Sequence, residues 1–458
     1  MDTKTMFKEF SETSSKEWTS IIEGNLKGDS FEETLVWKSA EGIKVTPFYH
    51  QDLVGAETQT PLQTETWKIG QFITVVDAVT ANKQAVSSIN NGAENLYFYI
   101  TSEEINISLL LYEIDLEKTL IYFNFSFLSS YYIKNIMSFV GNFRNNIFFN
   151  VAILSNLSTS GNWFTNKETD FKILDEIVEL GVPNVLMVNA ASYQNAGANM
   201  VEQLAISIAQ ANEYFSYFNE NKKLKKIKTI TFKLAIGTNY FFEMAKLRAL
   251  RILWSVLQEA YNTAIQLHII TQPTKRNKTL YDYNVNMLRT TTEGMSAVLG
   301  GANTVFNMPY DAIFHNSNDF GERIALNQLL LLKEESSLDK VNNPADGSYY
   351  IESITNQLAE KALELFKEIE KGGGFLESLQ KGEIQKIINN SALKEQEKFN
   401  ANEEVLVGTN KYRNLMDKMK QNLDFEPFAV DTIKNTFVTP IIEKRLAEEL
   451  EQEILKDE

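Results

Sequence analysis

From about residue 94 onward, short apolar runs rich in β-branched and aromatic residues alternate with longer stretches whose apolar residues recur at helical spacing. That alternation constrains the chain more than any other feature, because strand–helix repeats of this kind build parallel sheets closed or covered by helices. The strand candidates are ENLYFYI (94–100), TLIYFNF (119–125), IFFNVAIL (147–154), NVLMVNA (184–190), KTITFKLAI (228–236), AIQLHIIT (264–271) and NTVFNM (303–308). An eighth strand is left unassigned. Helical spacing marks 171–180, 200–218, 241–260 and 284–299. No Gly-x-Gly-x-x-Gly follows the first strand, so the repeat reads as a (β/α)8 TIM barrel rather than an open doubly wound sheet.

The 458 residues exceed a barrel of ~250 residues and divide into an N-terminal arm over 1–90, the barrel over 91–340 and a C-terminal helical extension over 341–458. The arm carries one helical pattern from Lys16 to Leu26. The extension carries two polar ones, Thr355 to Lys371 and Ala392 to Glu403, before a charged helix from Pro440 to Glu458.

Composition removes several chemistries. A formal charge of −16 speaks against nucleic acid, whose affinity rests on basic side chains neutralising phosphates; the basic run KKLKKIK at 222–228 reads as a solvated turn into a strand. With no cysteine there is no disulfide, thiolate metal site or cysteine nucleophile. The N-terminus lacks a secretory apolar core and no apolar run reaches the ~20 residues a bilayer requires, so the expectation is a soluble, cytoplasmic protein with no membrane partner. Only His50, His268 and His315 are available as imidazoles, and no histidine metal cage is expected.

In a TIM barrel the acting residues lie at the C-terminal ends of the strands. Here those loops offer Asn189, Ser192, Tyr193, Gln194, Thr238, Asn239, Thr271, Gln272, Asn303 and Asn307, all hydrogen-bonding groups with no convergent acid–base set. Asp282 and Asp311 read as capping or surface carboxylates. The stripe Phe241, Phe242, Met244, Ala245, Leu247, Leu250, Leu253 and Trp254 reads as core packing, with Lys246, Arg248 and Arg251 directed away from it or snorkelling at its rim.

Three long segments carry a resemblance: GTNYFFEMAKLRALRILW (237–254), LRTTTEGMSAVLGGANT (288–304) and NPADGSYYIE (343–352). With QNAGA (194–198), ERIALNQ and EES (322–336), VLVGTNKY (405–412) and SKEW, LKG and LVWKSAEGIKVTPFY (15–49), they are similar to the cobalamin-dependent acyl-CoA mutases, methylmalonyl-CoA mutase in particular. The resemblance implies a barrel that threads an acyl-CoA along its axis against a separate cobalamin domain.

Position by position, the family's chemical residues are missing. Ile270 stands where its H-S-Q-T-S-G-W histidine falls, followed by Thr271, Gln272 and Pro273. Its Y-H-M-Q-E-A-G-A segment reads Ala191 to Ala198, keeping Gln194 but not the tyrosine, histidine or glutamate. Its G-G-T-Q-S-L-H loop reads Gly300 to Phe306, with Asn303 for the glutamine and Phe306 for the histidine, and PLQTET precedes Trp67 in place of the cobalamin-facing tyrosine segment. His268 falls two positions short on the same strand face. No D-x-H-x-x-G cobalt motif occurs, and TPIIEKRLAEELEQE resembles the start of the linker toward a cobalamin domain.

By resemblance this is the non-catalytic small subunit of a heterodimeric mutase, without catalytic or metal residues, with Gln194, Thr271, Gln272 and Asn303 as vestigial barrel-mouth positions. No cofactor is expected on this chain; adenosylcobalamin is expected on a large catalytic partner subunit. The alternative is a regulatory or sensor protein whose degenerate barrel binds an acyl-CoA.

Overall fold

Strand parity builds the wall of the structure, a computed structural model that describes residues 9, 11, 13–53, 60–61, 65–429 and 435–458. Along each run every second side chain faces the helices and the others face the axis. Eight parallel strands close into a barrel: β1 Lys68–Val75, β2 Asn95–Ile100, β3 Leu120–Phe125, β4 Ile147–Val151, β5 Asn184–Asn189, β6 Thr229–Ile236, β7 Gln266–Pro273 and β8 Thr304–Phe306, with β8 closing on β1. This is the expected TIM barrel. Leu96, Phe98, Ile121, Phe123, Phe149, Ile230 and Phe232 face outward into one continuous apolar core beneath the helices.

The unassigned eighth strand is β1, inside the stretch expected to be arm, so the barrel begins at residue 68 rather than 91. Gly70 and Gln71 interrupt its apolar run. Gly70 is required because a Cβ there would lie 2.3 Å from the Phe306 ring, while Gln71 donates to Glu322 Oε2 at 2.6 Å. The following helix, α1 (Ala78–Asn90), is capped by Asp77 accepting from Thr80 N at 2.8 Å. Ahead of β1 lie a helix at Ser15–Asn25, started by a Ser14/Glu17 capping box, and a small hairpin pairing Trp37–Lys38 with Lys44–Val45.

The outer ring is completed by α2 (Ser130–Val140), α3 (Lys167–Glu179), α4 (Met200–Glu220), α5 (Tyr240–Ala260), α6 (Val285–Leu299) and α7 (Asp319–Leu330). Beyond the barrel come α8 (Tyr349–Lys371), α9 (Gly374–Gln380), α10 (Glu383–Asn400) and α11 (Glu448–Asp457). Helix α8 packs across α4 and α5. Lys246, Arg248 and Arg251 are buried, not at a rim: Arg248 pairs with Asp346 and Glu352 at the start of α8, Lys246 donates to Gln194, Gln203 and Ala235 O, and Arg251 donates to Gly301 O.

The last helix starts at Glu448, not Pro440. The preceding residues form an extended strap over the C-terminal face of the barrel. Val438 N donates to Gly161 O, Ile441 N to Ser158 O, Lys444 N to Asn195 O and Leu446 N to Arg276 O. Backbone groups engaged by loops in this way are not free to close helical turns.

Candidate functional site

The inward positions fill the bore with rings. Tyr97, Tyr122, Phe148, Ile270 and Phe306 form one buried cluster, with Phe72 and Leu120 packed against it. The Phe72 and Tyr97 ring centroids lie 4.2 Å apart, and those of Tyr122 and Phe148 4.8 Å. Phe306 meets the Tyr97 and Tyr122 rings edge-on at 5.7 and 5.8 Å. Ile270 and Phe306, at two of the three expected histidine positions, are thus members of the plug, while the third, Ser192, lies in the short helix Ala191–Asn195 after β5.

Toward the N-terminal end of the strands the bore becomes polar and satisfied. Tyr122 Oη lies 2.8 Å from both His268 Nε2 and Thr304 Oγ1, and Asn95 Nδ2 donates to Thr304 Oγ1 at 2.9 Å. Burial, aided by the Arg251 charge, pulls the His268 pKa down to about 3, so the ring is neutral at physiological pH and serves as a structural hydrogen-bond partner.

At the C-terminal end, a cavity of about 300 Å³ is lined by Asn124, Asn150, Asn189, Tyr99, Met187 and Ser155 among others. Asn150, in a left-handed backbone conformation (φ 43°), has both amide atoms buried without a partner, as is Asn189 Oδ1. Lys233 on β6 extends its ammonium over the Phe72 and Tyr97 rings, 4.3 and 5.1 Å from their centroids.

The four expected mouth positions do not converge. Gln272 shares the inward parity of His268 and Ile270. Thr271 has the opposite parity, alongside Ile269 in the outer core; it is buried and its hydroxyl has no partner. Asn303 lies at the other end of the barrel, just ahead of β8, where its Oδ1 accepts from Ile269 N at 2.9 Å and from Arg251. Short β8 places three residues between it and the mouth.

Gln194 belongs to a buried network behind the mouth. Its Nε2 donates to Glu243 Oε1 at 3.0 Å, and its Oε1 accepts from Lys246 Nζ at 2.9 Å. Gly237 permits this approach, since a Cβ there would lie 2.8 Å from Gln194 Nε2. Asn195 accepts from Thr274 Oγ1 and Lys275 N, tying the β5 loop to the β7 loop. Asp311, at 2% exposure, accepts from His315 Nδ1 and from Asn318 Nδ2, so it holds the residue that caps α7 rather than capping the helix itself. Asp282 is not part of the bore.

Lys233, Asn124 and Asn150 were missed by reading loops alone. Their signal is parity: in TITFKLAI the apolar partners Ile230, Phe232, Leu234 and Ile236 face outward, which turns Lys233 toward the axis.

The family described as methylmalonyl-CoA mutase matches residues 146–456. The chain belongs to the methylmalonyl-CoA mutase family. It is 34% identical over 446 residues to the methylmalonyl-CoA mutase small subunit of Porphyromonas gingivalis, covering 90% of this chain and 72% of that one. It is also 34% identical over 272 residues to the methylmalonyl-CoA mutase of Rhizobium meliloti, covering 57% of this chain and 38% of that one. The methylmalonyl-CoA mutase large subunit of P. gingivalis is 29% identical over 272 residues, covering 57% of this chain and 38% of its own length. Similarity to a small subunit therefore extends over more of the chain than similarity to the large subunit of the same organism. Among the described residues no helix is long and apolar enough to cross a membrane, and no cluster of three or more metal-ligating side chains occurs.

Proposed function

We propose that this chain is the non-catalytic small subunit of a cytoplasmic, heterodimeric methylmalonyl-CoA mutase, stabilising a large subunit that interconverts (R)-methylmalonyl-CoA and succinyl-CoA. The observation that carries this reading is the ring cluster: of the three barrel positions where the resemblance places histidines, two, Ile270 and Phe306, are packed with Tyr97, Tyr122 and Phe148. Neither side chain can polarise a thioester carbonyl or move a proton. The same rings occupy the axis along which an acyl-CoA would have to thread, which weighs against the acyl-CoA sensor as well.

The donor set does not fit a corrin. His268 is inside the bore on Tyr122, His315 binds Asp311 and Asn422 O through its two ring nitrogens, and His50 Nδ1 lies 2.8 Å from Asp52. This supports placing adenosylcobalamin on the large subunit. The satisfied hydrogen bonds of Gln194 and Asn303, and the outward parity of Thr271, support structural rather than substrate roles for those residues.

The test is to co-express the chain with a large subunit from the same genome, purify through a tag on this chain and assay with adenosylcobalamin. Activity and a corrin spectrum are expected only in the complex. Turnover by the isolated chain would overturn the proposal, as would failure of the large subunit to co-purify.

A further inference from the structure

The small-subunit reading makes no use of the cavity of about 300 Å³ over the C-terminal ends of β2 to β5, a space at the low end of the range for small-molecule sites. Among the described residues that line it there is no Asp, Glu, Lys, Arg or His, in a chain whose formal charge is −16. A carboxylate, phosphate or ammonium entering it would give up hydration without gaining a counter-ion. The space therefore suits an uncharged guest.

Asn150 brings its whole hydrogen-bonding capacity to this wall unspent. The residue is 2% exposed, and neither its Nδ2 nor its Oδ1 has a partner. Buried side-chain amides are seldom left so. Asn189, another lining residue, has its Oδ1 buried and unmet as well. Ser155, also in the lining, accepts through Oγ from Asn189 N at 3.0 Å and from Gln210 Nε2 at 2.7 Å. Both of its lone pairs are thereby taken, which leaves the hydroxyl proton to donate. Three residues lining one cavity thus offer two donors, Asn150 Nδ2 and the Ser155 hydroxyl, and two acceptors, Asn150 Oδ1 and Asn189 Oδ1. Apolar rings supply other parts of the wall: Phe164, and Phe125 and Phe127 with centroids 5.4 Å apart.

A primary carboxamide carries the matching complement. It has two N–H groups for the two acceptors and a carbonyl oxygen with two lone pairs for the two donors. Its N–H and C=O also lie side by side on one edge, as those of Asn150 do, so the two amides can close a pair of parallel hydrogen bonds. A trans secondary amide presents donor and acceptor on opposite edges and can make only one of the pair. We propose that this cavity is a binding site for an uncharged aromatic primary carboxamide, paired edge to edge with Asn150 and with its ring against the phenylalanine wall.

Benzamide is the probe, titrated calorimetrically into the full chain beside benzoate and N-methylbenzamide. Benzoate keeps the shape and adds a charge, while N-methylbenzamide puts a methyl group where the edge N–H must be. Benzamide should bind at least about tenfold more tightly than either. Asn150→Gly, which tolerates the left-handed backbone at this position (φ 43°), should weaken benzamide at least about tenfold. A crystal of the unaltered chain soaked in benzamide needs no variant to fold, and should show the carboxamide on Asn150. Benzoate or N-methylbenzamide binding as tightly as benzamide would overturn the proposal, as would unchanged affinity in Asn150→Gly or a soaked crystal with only ordered water on Asn150. Each of these failures leaves the small-subunit reading standing, since that reading rests on Ile270 and Phe306.

Discussion

Glu243 and Lys246 lie one helical turn apart on α5, 2.6 Å between charged atoms and with both side chains wholly excluded from water. Lys246 also donates to Gln194 Oε1, Gln203 Oε1 and Ala235 O, while Glu243 Oε1 accepts from Gly237 N at 2.7 Å. Desolvation of two charges is offset only while every partner is present. Lys246→Met should therefore cost about 3–5 kcal/mol by stranding the carboxylate, whereas Lys246→Met with Glu243→Leu should cost less than the single change. Urea melts of the three proteins decide it, and a double variant less stable than Lys246→Met refutes the coupling. The burial of this pair was not legible in sequence, because the periodicity of α5 marks one apolar face and says nothing of what covers the other. Gln194, Gln203 and the Ala235 carbonyl enclose the pair, whereas helix α8, about a hundred residues later, and the loop before it bury Arg248, which pairs with Asp346 and Glu352, both at 2.5 Å.

At the scale of elements, seven strands were legible as apolar runs and the eighth was not, for a reason that lies inside the barrel. A strand whose inward side chain must be absent cannot show an unbroken apolar run. Gly70 leaves the room that the Phe306 ring fills, across the β1–β8 register in which the two residues are paired. Gly70→Val should cost about 1–3 kcal/mol by overpacking, and Phe306→Ala about 3–5 kcal/mol by leaving a cavity. Combined, the two changes should cost clearly less than the sum of the singles, since the new methyls enter the vacated ring space. Denaturant titrations followed by near-ultraviolet dichroism test this; strictly additive losses would show that the two sites do not share one space. The same parity argument places Lys233 and Gln272 inward and Thr271 outward, so site residues on strands were recoverable from alternation. The end at which Asn303 lies was recoverable too, since the strand candidate 303–308 begins at it and so places it at the N-terminal end of the barrel.

Across the whole molecule, the C-terminal segment decides whether the barrel ends where its strands do. Its strap joins loops that follow three different strands: Ser158 and Gly161 after β4, Asn195 after β5 and Arg276 after β7. Arg445 then donates to Lys278 O and to Glu451 Oε2, and Glu451 accepts from Leu280 N at 2.7 Å. The polar, charged sequence of 440–458 reads as a surface helix, since its partners are carbonyl and amide groups of loops distant in sequence. If the segment were only an appendage, a chain ending at Ala429 would keep the melting temperature and amide-exchange protection of the full protein. The hydrogen bonds predict otherwise. Removing the strap leaves the Gly161, Ser158, Asn195 and Arg276 carbonyls and the Leu280 amide without their partners, each worth about 1 kcal/mol net. The truncated chain is therefore expected to melt several degrees lower, with exchange accelerated selectively in 158–161, 195–198 and 274–281 while β2 and β3 keep their protection. Unchanged exchange in those loops would refute the strap as part of the barrel wall; uniform acceleration, β2 and β3 included, would show that the segment holds the whole barrel rather than its mouth.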